Sequence, residues 1–137
     1  MEKVLITGGA GFVGTALIRK LIRKYKNIEI VSIDNYSSGY ESNHIKSKKV
    51  KYFNKDTQTL IPKKFDLNNT KMDYADAFEP DVVFHFGEFS RIVTSFDAFD
   101  NCWDYNMQGT KMVLDYCVAK NAKLIYSASS SKFGNDG

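Results

Sequence analysis

The chain has 137 residues, of which 43% are hydrophobic and 26% charged, with a formal net charge of +3. This composition is typical of one soluble globular domain, and the scattered lysines, without interleaved aromatic residues, predict no nucleic-acid partner. No apolar run approaches the ~18 residues that a membrane span needs, and no signal segment is recognisable, so we expect a cytoplasmic protein without a membrane partner.

Strands alternate with helices along the sequence, beginning with an apolar run at residues 3–7 that glycines stop. Residues 12–24 follow as an amphipathic helix, whose buried face is predicted to carry Val13, Ala16, Leu17 and Leu21. Further strands are predicted at 28–33, 50–53, 81–85 and 123–127, a short helix at 72–78 and a long helix from about 97 to 120. The alternation predicts an α/β fold, a Rossmann-like doubly wound parallel sheet of about five strands with flanking helices.

The segment that joins the first strand to the first helix carries three spaced glycines, Gly8, Gly11 and Gly14. Gly8 permits a tight turn, and Gly14 lets the helix pack closely on the strand. Gly11 lets the backbone approach a pyrophosphate at the start of the helix, where Phe12 and Val13 offer N–H groups and the helix dipole favours an anion. With a strand before it and a helix after it, this segment predicts a dinucleotide-binding loop.

Asp34 ends the second strand, twenty residues beyond Gly14. An acidic side chain at this place accepts hydrogen bonds from the ribose hydroxyls of the adenosine. Its carboxylate would repel a 2′-phosphate, and no Arg lies nearby in the sequence, so the expected cofactor is NAD rather than NADP. By itself, Asp34 could instead cap a turn at the end of the strand.

The glycine loop, Asp34 and the order of strands resemble the extended short-chain dehydrogenase/reductase superfamily, most of all its NAD-dependent epimerase/dehydratase branch, which includes UDP-glucose 4-epimerase. The resemblance runs along the whole chain but covers only the N-terminal part of a usual member. It implies that residues 1–137 form one NAD-binding Rossmann domain, partial because the C-terminal substrate lobe is absent, with a sheet that is truncated after the fifth strand.

The resemblance also assigns cofactor contacts outside the glycine loop. The stretch after Asp34 is similar to the one that wraps the adenosine, and Asp56 matches a residue that contacts the adenine. His85-Phe86-Gly87-Glu88 stands where the family has H-[LF]-A-[AG], a stretch that passes under the cofactor, with Gly87 in place of the more usual Ala. Asn106 begins a match to N-x-x-G-T and supports the active site. The cofactor-binding residues expected in addition to the glycine loop are therefore Asp34, Asn35, Ser37, Ser38, Gly39, Asp56, Phe86, Gly87, Glu88 and Asn106.

One catalytic residue is implied by the serine block at 127–134, in which Ser129 takes the place of the Ser or Thr that hydrogen-bonds the substrate's hydroxyl or keto oxygen. The family's general base, a Tyr in Y-x-x-x-K, follows that block, and the sequence ends at Gly137. The match at Tyr116–Lys120 precedes the fifth strand and is interpreted as chance. His85, taken alone, is interpreted as a strand-end histidine with a backbone partner, and no metal ligands are recognised.

Three functions remain open at this point. The chain is the NAD-binding portion of a nucleotide-sugar epimerase or dehydratase that transiently oxidises a sugar carbon by hydride transfer to NAD, or it is a catalytically incomplete module or half of a split enzyme. The third is an NADP-dependent reductase of a non-sugar substrate. Because the outer edge of the fifth strand would be unpaired, we also expect self-association or a complementing chain on that side.

Overall fold

A five-stranded, all-parallel sheet forms the centre of the computed structural model, which describes residues 2–62, 72–90 and 92–129. Its spatial order is β3-β2-β1-β4-β5, so the chain winds outward from β1 to β3 and then returns to the other side of β1. This order confirms the predicted doubly wound architecture and places its reversal beside β1. The strands are β1 (Lys3–Thr7), β2 (Glu29–Asp34), β3 (Val50–Asn54), β4 (Val82–His85) and β5 (Lys123–Tyr126).

Helices and short turns connect these strands. The helices are α1 (Phe12–Lys24), α2 (Tyr74–Ala77), α3 (Ile92–Asp97), α4 (Phe99–Trp103) and α5 (Gly109–Lys120), and single turns lie at Glu41–Asn43 and Thr57–Thr59. A reciprocal pair of hydrogen bonds between Asp73 and Asp76 caps α2, which is shorter than predicted because Phe78 is already extended. In the described residues, no helix is long and apolar enough to cross a membrane.

The long helix predicted from about 97 to 120 is divided in the structure. Ala98 leaves the helical conformation, with φ −128° and ψ 48°, and separates α3 from α4. A π-helical segment, Asp104–Gln108, then joins α4 to α5 without a break in the helical backbone. The extra residue that a π turn inserts rotates α4 relative to α5, which periodicity alone does not reveal.

The core lies on both faces of the sheet, as expected for parallel strands with helices on both sides. In β1, Val4 and Ile6 pack toward α1, whereas Leu5 packs on the opposite face with Val113 and Tyr116 of α5. These five side chains are all fully buried. The sheet is therefore enclosed between α1 on one side and α5 on the other.

The face of α1 that contacts the sheet differs from the predicted one. Gly14, Ile18 and Leu21 are buried, whereas Val13 is 56% exposed and Ala16 is also exposed. The cause is Gly14, because a Cβ there would lie 2.3 Å from the carbonyl oxygen of Gly8. The helix packs backbone against backbone at Gly14, and this contact turns the predicted apolar face partly toward solvent.

Candidate cofactor-binding site

A cleft opens at the carboxyl ends of β1, β2 and β4, where the strand order reverses. Most of the cofactor-binding residues predicted outside helix α1 line it, namely Gly8, Asp34, Asn35, Ser37, Ser38, Phe86, Gly87 and Glu88. Ile33, Lys55, Thr57 and Tyr105 line it as well and were not predicted. Lys55 and Thr57 follow β3 and Tyr105 belongs to the π segment, so only the tertiary fold brings them here.

The glycine loop forms one wall of the cleft. Gly8 has φ +69°, and a Cβ there would lie 2.8 Å from the carbonyl carbon of Phe86, so glycine is required both for conformation and for space. Helix α1 begins after Gly11 with no side-chain cap and no acidic residue in its first turn, which contains Phe12 and Val13. The first N–H groups of α1 are thus left for an anion, which is how a helix binds a pyrophosphate.

Asp34 connects the glycine loop to the end of β2. One carboxylate oxygen accepts a hydrogen bond from the backbone N–H of Ala10 at 2.9 Å, and the other accepts one from Tyr36 N–H at 2.9 Å. Asp34 therefore caps the strand-end turn and also fixes the loop, while it still lines the cleft. A carboxylate has about four acceptor sites, so these two bonds leave capacity for ribose hydroxyls.

The residues after Asp34 form a compact wall on the same side. Asn35 donates from Nδ2 to Asp56 Oδ1 at 2.7 Å and accepts from Ser37 N–H at 3.0 Å. Gly39 is buried, and a Cβ there would lie 3.0 Å from Ala10. The structure thus places Asp56 behind Asn35, and its predicted adenine contact stays a prediction.

The other side of the cleft is held by a chain of hydroxyl groups around His85. Thr7 Oγ1 accepts the backbone N–H groups of Phe86 at 3.1 Å and Gly87 at 2.8 Å, so its own hydrogen is donated to His85 Nδ1 at 2.6 Å. His85 is fully buried, and this burial lowers its pKa to about 4. Its partners are side-chain hydroxyls, so the interpretation of a backbone partner was wrong.

Because Nδ1 accepts, neutral His85 carries its hydrogen on Nε2 and donates it to Thr110 Oγ1 at 3.0 Å. Thr110 then donates to Glu88 Oε1 at 2.9 Å. Asn106 lies beside this chain and bonds both backbone groups of Phe89, at 2.6 and 2.9 Å. It therefore holds the loop that carries Gly87 and Glu88, and its direct contact with a cofactor stays a prediction.

The two residues considered for catalysis lie in different environments. Ser129 follows β5 and is exposed, and the rest of its motif, residues 130–134, lies outside the described residues. Tyr116 is fully buried, its hydroxyl lies 2.6 Å from the carbonyl oxygen of Phe78, and burial raises its pKa. A tyrosine held in the core in this way cannot reach the cleft, which agrees with a chance match at Tyr116–Lys120.

These features fit a dinucleotide. An uncapped helix N-terminus suits a pyrophosphate, Asp34 suits ribose hydroxyls, and the glycine backbone allows close approach. A doubly wound sheet with this loop and an acid at the end of β2 defines a dinucleotide-binding Rossmann domain. The model of the NAD dependent epimerase/dehydratase family matches residues 4–137, and the chain belongs to this family.

Similar proteins agree with this assignment. A UDP-N-acetyl-alpha-D-glucosaminuronate decarboxylase of Bacillus cytotoxicus is 27% identical over 97% of this chain and 38% of its own length. Among solved structures, UDP-N-acetylglucosamine 4-epimerase of Methanobrevibacter ruminantium has a TM-score of 0.81 at 24% identity, covering 99% of this chain and 41% of that one. A UDP-glucose 4-epimerase of Thermus thermophilus in complex with NAD has a TM-score of 0.71 at 23% identity, covering 93% and 37%. The chain thus spans about two fifths of the length of these proteins.

Proposed function

We propose that the cleft binds NAD and that the chain is the cofactor-binding portion of a nucleotide-sugar epimerase or dehydratase. The observation that carries this proposal is that Asp34 lies next to the start of α1, which has no side-chain cap. The Asp34 carboxylate accepts a hydrogen bond from the N–H of Ala10, one residue before Gly11, the N-cap position of the helix. One acidic group for the ribose, at the end of β2, and one set of N–H groups for the pyrophosphate, at the start of α1, are thus held next to each other by a hydrogen bond. Bound NAD would accept a hydride from the sugar, and the whole protein would return that hydride to the sugar.

The nucleotide-sugar substrate is proposed from the names of the relatives, which include a UDP-N-acetyl-alpha-D-glucosaminuronate decarboxylase, a dTDP-D-glucose 4,6-dehydratase and an ADP-L-glycero-D-manno-heptose-6-epimerase. Ser129 is the residue of this chain that we propose to hydrogen-bond the reacting oxygen of the sugar. The tyrosine base that the resemblance implies, in Y-x-x-x-K, is not supplied by Tyr116, which is buried away from the cleft. Turnover of a UDP-sugar by these 137 residues alone would therefore contradict our assignment of Tyr116 to the core.

Calorimetric titration tests the cofactor. We expect NAD to bind more tightly than NADP, because the Asp34 carboxylate accepts ribose hydroxyls and repels a 2′-phosphate. Asp34→Asn should weaken NAD binding about tenfold or more, since the acceptor loses its charge and one of its two bonds to backbone N–H groups, and should narrow the preference over NADP. Asp115→Asn, on the exposed surface of α5, removes the same charge away from the cleft and should change neither affinity.

Tighter binding of NADP would instead favour the third function, a reductase of a non-sugar substrate. An arginine near the cleft would be needed to bind the 2′-phosphate of NADP in such a reductase. Arg19 of α1 shares a neighbouring hollow with Ser38, which also lines the cleft, although no Arg lies near Asp34 in the sequence. If NADP binds more tightly and Arg19→Ala removes this preference, the proposed role of Asp34 is wrong.

The outer edge of β5 supports the alternative that the chain self-associates or is completed by a second polypeptide. In the described residues, β5 pairs with β4 alone, Ile125 is 39% exposed, and Val118 of the adjacent α5 is 82% exposed. An open parallel edge beside apolar side chains favours association, so we expect a dimer or larger species in sedimentation at high micromolar concentration. Val118→Lys should weaken that association, whereas Ala16→Lys on the opposite face of the sheet should not. A wild-type monomer at that concentration would contradict the prediction, unless a second polypeptide completes the edge.

A further inference from the structure

Two carboxylates lie in the cleft, one on each side of the glycine loop. Asp34 ends β2 and Glu88 follows β4, and β1 lies between these two strands in the sheet. A doubly wound sheet binds the two halves of a dinucleotide on the two sides of the strand where its order reverses. If the adenosine lies against Asp34, the nicotinamide half of the same molecule extends toward Glu88.

Glu88 is held in place by the fold. Thr110 and Tyr126 each donate a hydroxyl hydrogen to Oε1 of Glu88, both at 2.9 Å. The side chain is only 19% exposed, so the carboxylate is fixed in place rather than extended into solvent.

In the series of hydrogen bonds from Thr7 to Glu88, each side chain donates to the next, and the Glu88 carboxylate accepts the last bond. Thr7 is saturated by two backbone N–H groups and donates to His85, His85 donates to Thr110, and Thr110 donates to Glu88. Neutral His85 lies 3.7 Å from Glu88 and supplies no compensating positive charge. The carboxylate therefore presents a negative charge to its half of the cleft.

We propose that Glu88 makes the site prefer the oxidised cofactor over the reduced one. The oxidised nicotinamide ring carries a positive charge and the reduced ring carries none, so a carboxylate fixed in that half attracts only the oxidised form. This inference rests on the proposed function, because it requires NAD in the cleft. Glu88 is thus a residue that determines redox-state specificity, and it sets how readily the bound cofactor gives back its hydride.

The test compares NAD⁺ and NADH binding to the wild-type chain and to Glu88→Gln, by calorimetry for NAD⁺ and by cofactor fluorescence for NADH. Glutamine keeps an oxygen to accept from Thr110 and Tyr126 but has no charge. We expect NAD⁺ affinity to fall about three- to tenfold while NADH affinity changes less than about twofold. Glu29→Gln is the matched control, because Glu29 begins β2 at the opposite end of the strand from the cleft.

The failures of the two proposals are distinguishable. If the wild-type chain binds neither form, the proposed function fails and this inference fails with it. If both forms bind and Glu88→Gln leaves their affinity ratio unchanged, or weakens both equally, only the role of Glu88 is overturned. An equal shift of the ratio in Glu29→Gln would likewise overturn it, since the effect would then come from net charge alone.

Discussion

Replacing Gly14 with alanine is expected to lower the free energy of unfolding by about 2 kcal/mol or more. The new Cβ would lie 2.3 Å from Gly8 O and 2.6 Å from Gly9 Cα, and both are backbone atoms that cannot rotate away. Overpacking of this kind costs about 3 kcal/mol, of which the better helix propensity of alanine offsets about 1 kcal/mol. Urea unfolding followed by circular dichroism measures the loss, and an unchanged midpoint would show that α1 does not pack on the loop as described.

Gly11→Ala is the matched control for this prediction, and it separates folding from binding. Gly11 has φ −78°, which alanine adopts readily, and a Cβ there would meet only Gly8 O, at 3.3 Å. We therefore expect a stability change within about 1 kcal/mol. The methyl group would nevertheless stand where a pyrophosphate approaches the helix, so NAD affinity should fall about tenfold or more. Normal NAD binding by this variant would place the pyrophosphate elsewhere.

The order of strands and helices could be predicted from the sequence because every strand of this sheet contains at least two adjacent apolar residues and lies between segments with glycine, proline or polar residues. The predicted boundaries of β1 and α1 agree with the structure, and those of β2 differ by one residue. The buried face of α1 could not be predicted in the same way. Val13 and Ile18 are equally apolar, and only the backbone contact at Gly14 decides which of them faces the sheet.

The candidate site likewise contains residues that the sequence reveals and residues whose contacts only the tertiary fold reveals. Gly8 and Asp34 could be recognised because a turn of this kind needs a particular residue at a fixed distance along the chain. The contacts of Glu88 could not, because its partners Thr110 and Tyr126 are 22 and 38 residues away and belong to different elements. The sequence places Thr7 at the end of the first strand and at the start of the glycine motif, but neither position reveals that its hydroxyl organises both the loop after β4 and His85.

Acidification from pH 7 to pH 5 is expected to cost the folded chain about 2 kcal/mol through His85 alone. Burial lowers the pKa of folded His85 to about 4, whereas the unfolded residue titrates near 6.5. Below about 6.5 the unfolded state therefore binds a proton that the folded state does not, and stability falls until the pH reaches about 4. Glu88, 3.7 Å away, would favour the protonated ring, but the direction of the pKa shift shows that burial dominates.

His85→Asn isolates this effect, because an asparagine oxygen can still accept from Thr7 while asparagine itself takes up no proton between pH 7 and pH 5. The variant should be less stable than wild type at pH 7, yet it should lose about 2 kcal/mol less between pH 7 and pH 5. Carboxyl groups whose pKa is lowered in the folded state, such as those of Glu29 and Asp81, contribute equally to both proteins and cancel in the comparison. Parallel urea titrations at the two pH values measure the difference. Equal losses in the two proteins, or an NMR titration midpoint of His85 above pH 6, would mean that the imidazole is protonated in the folded state and that the donor order from Thr7 to Glu88 is wrong.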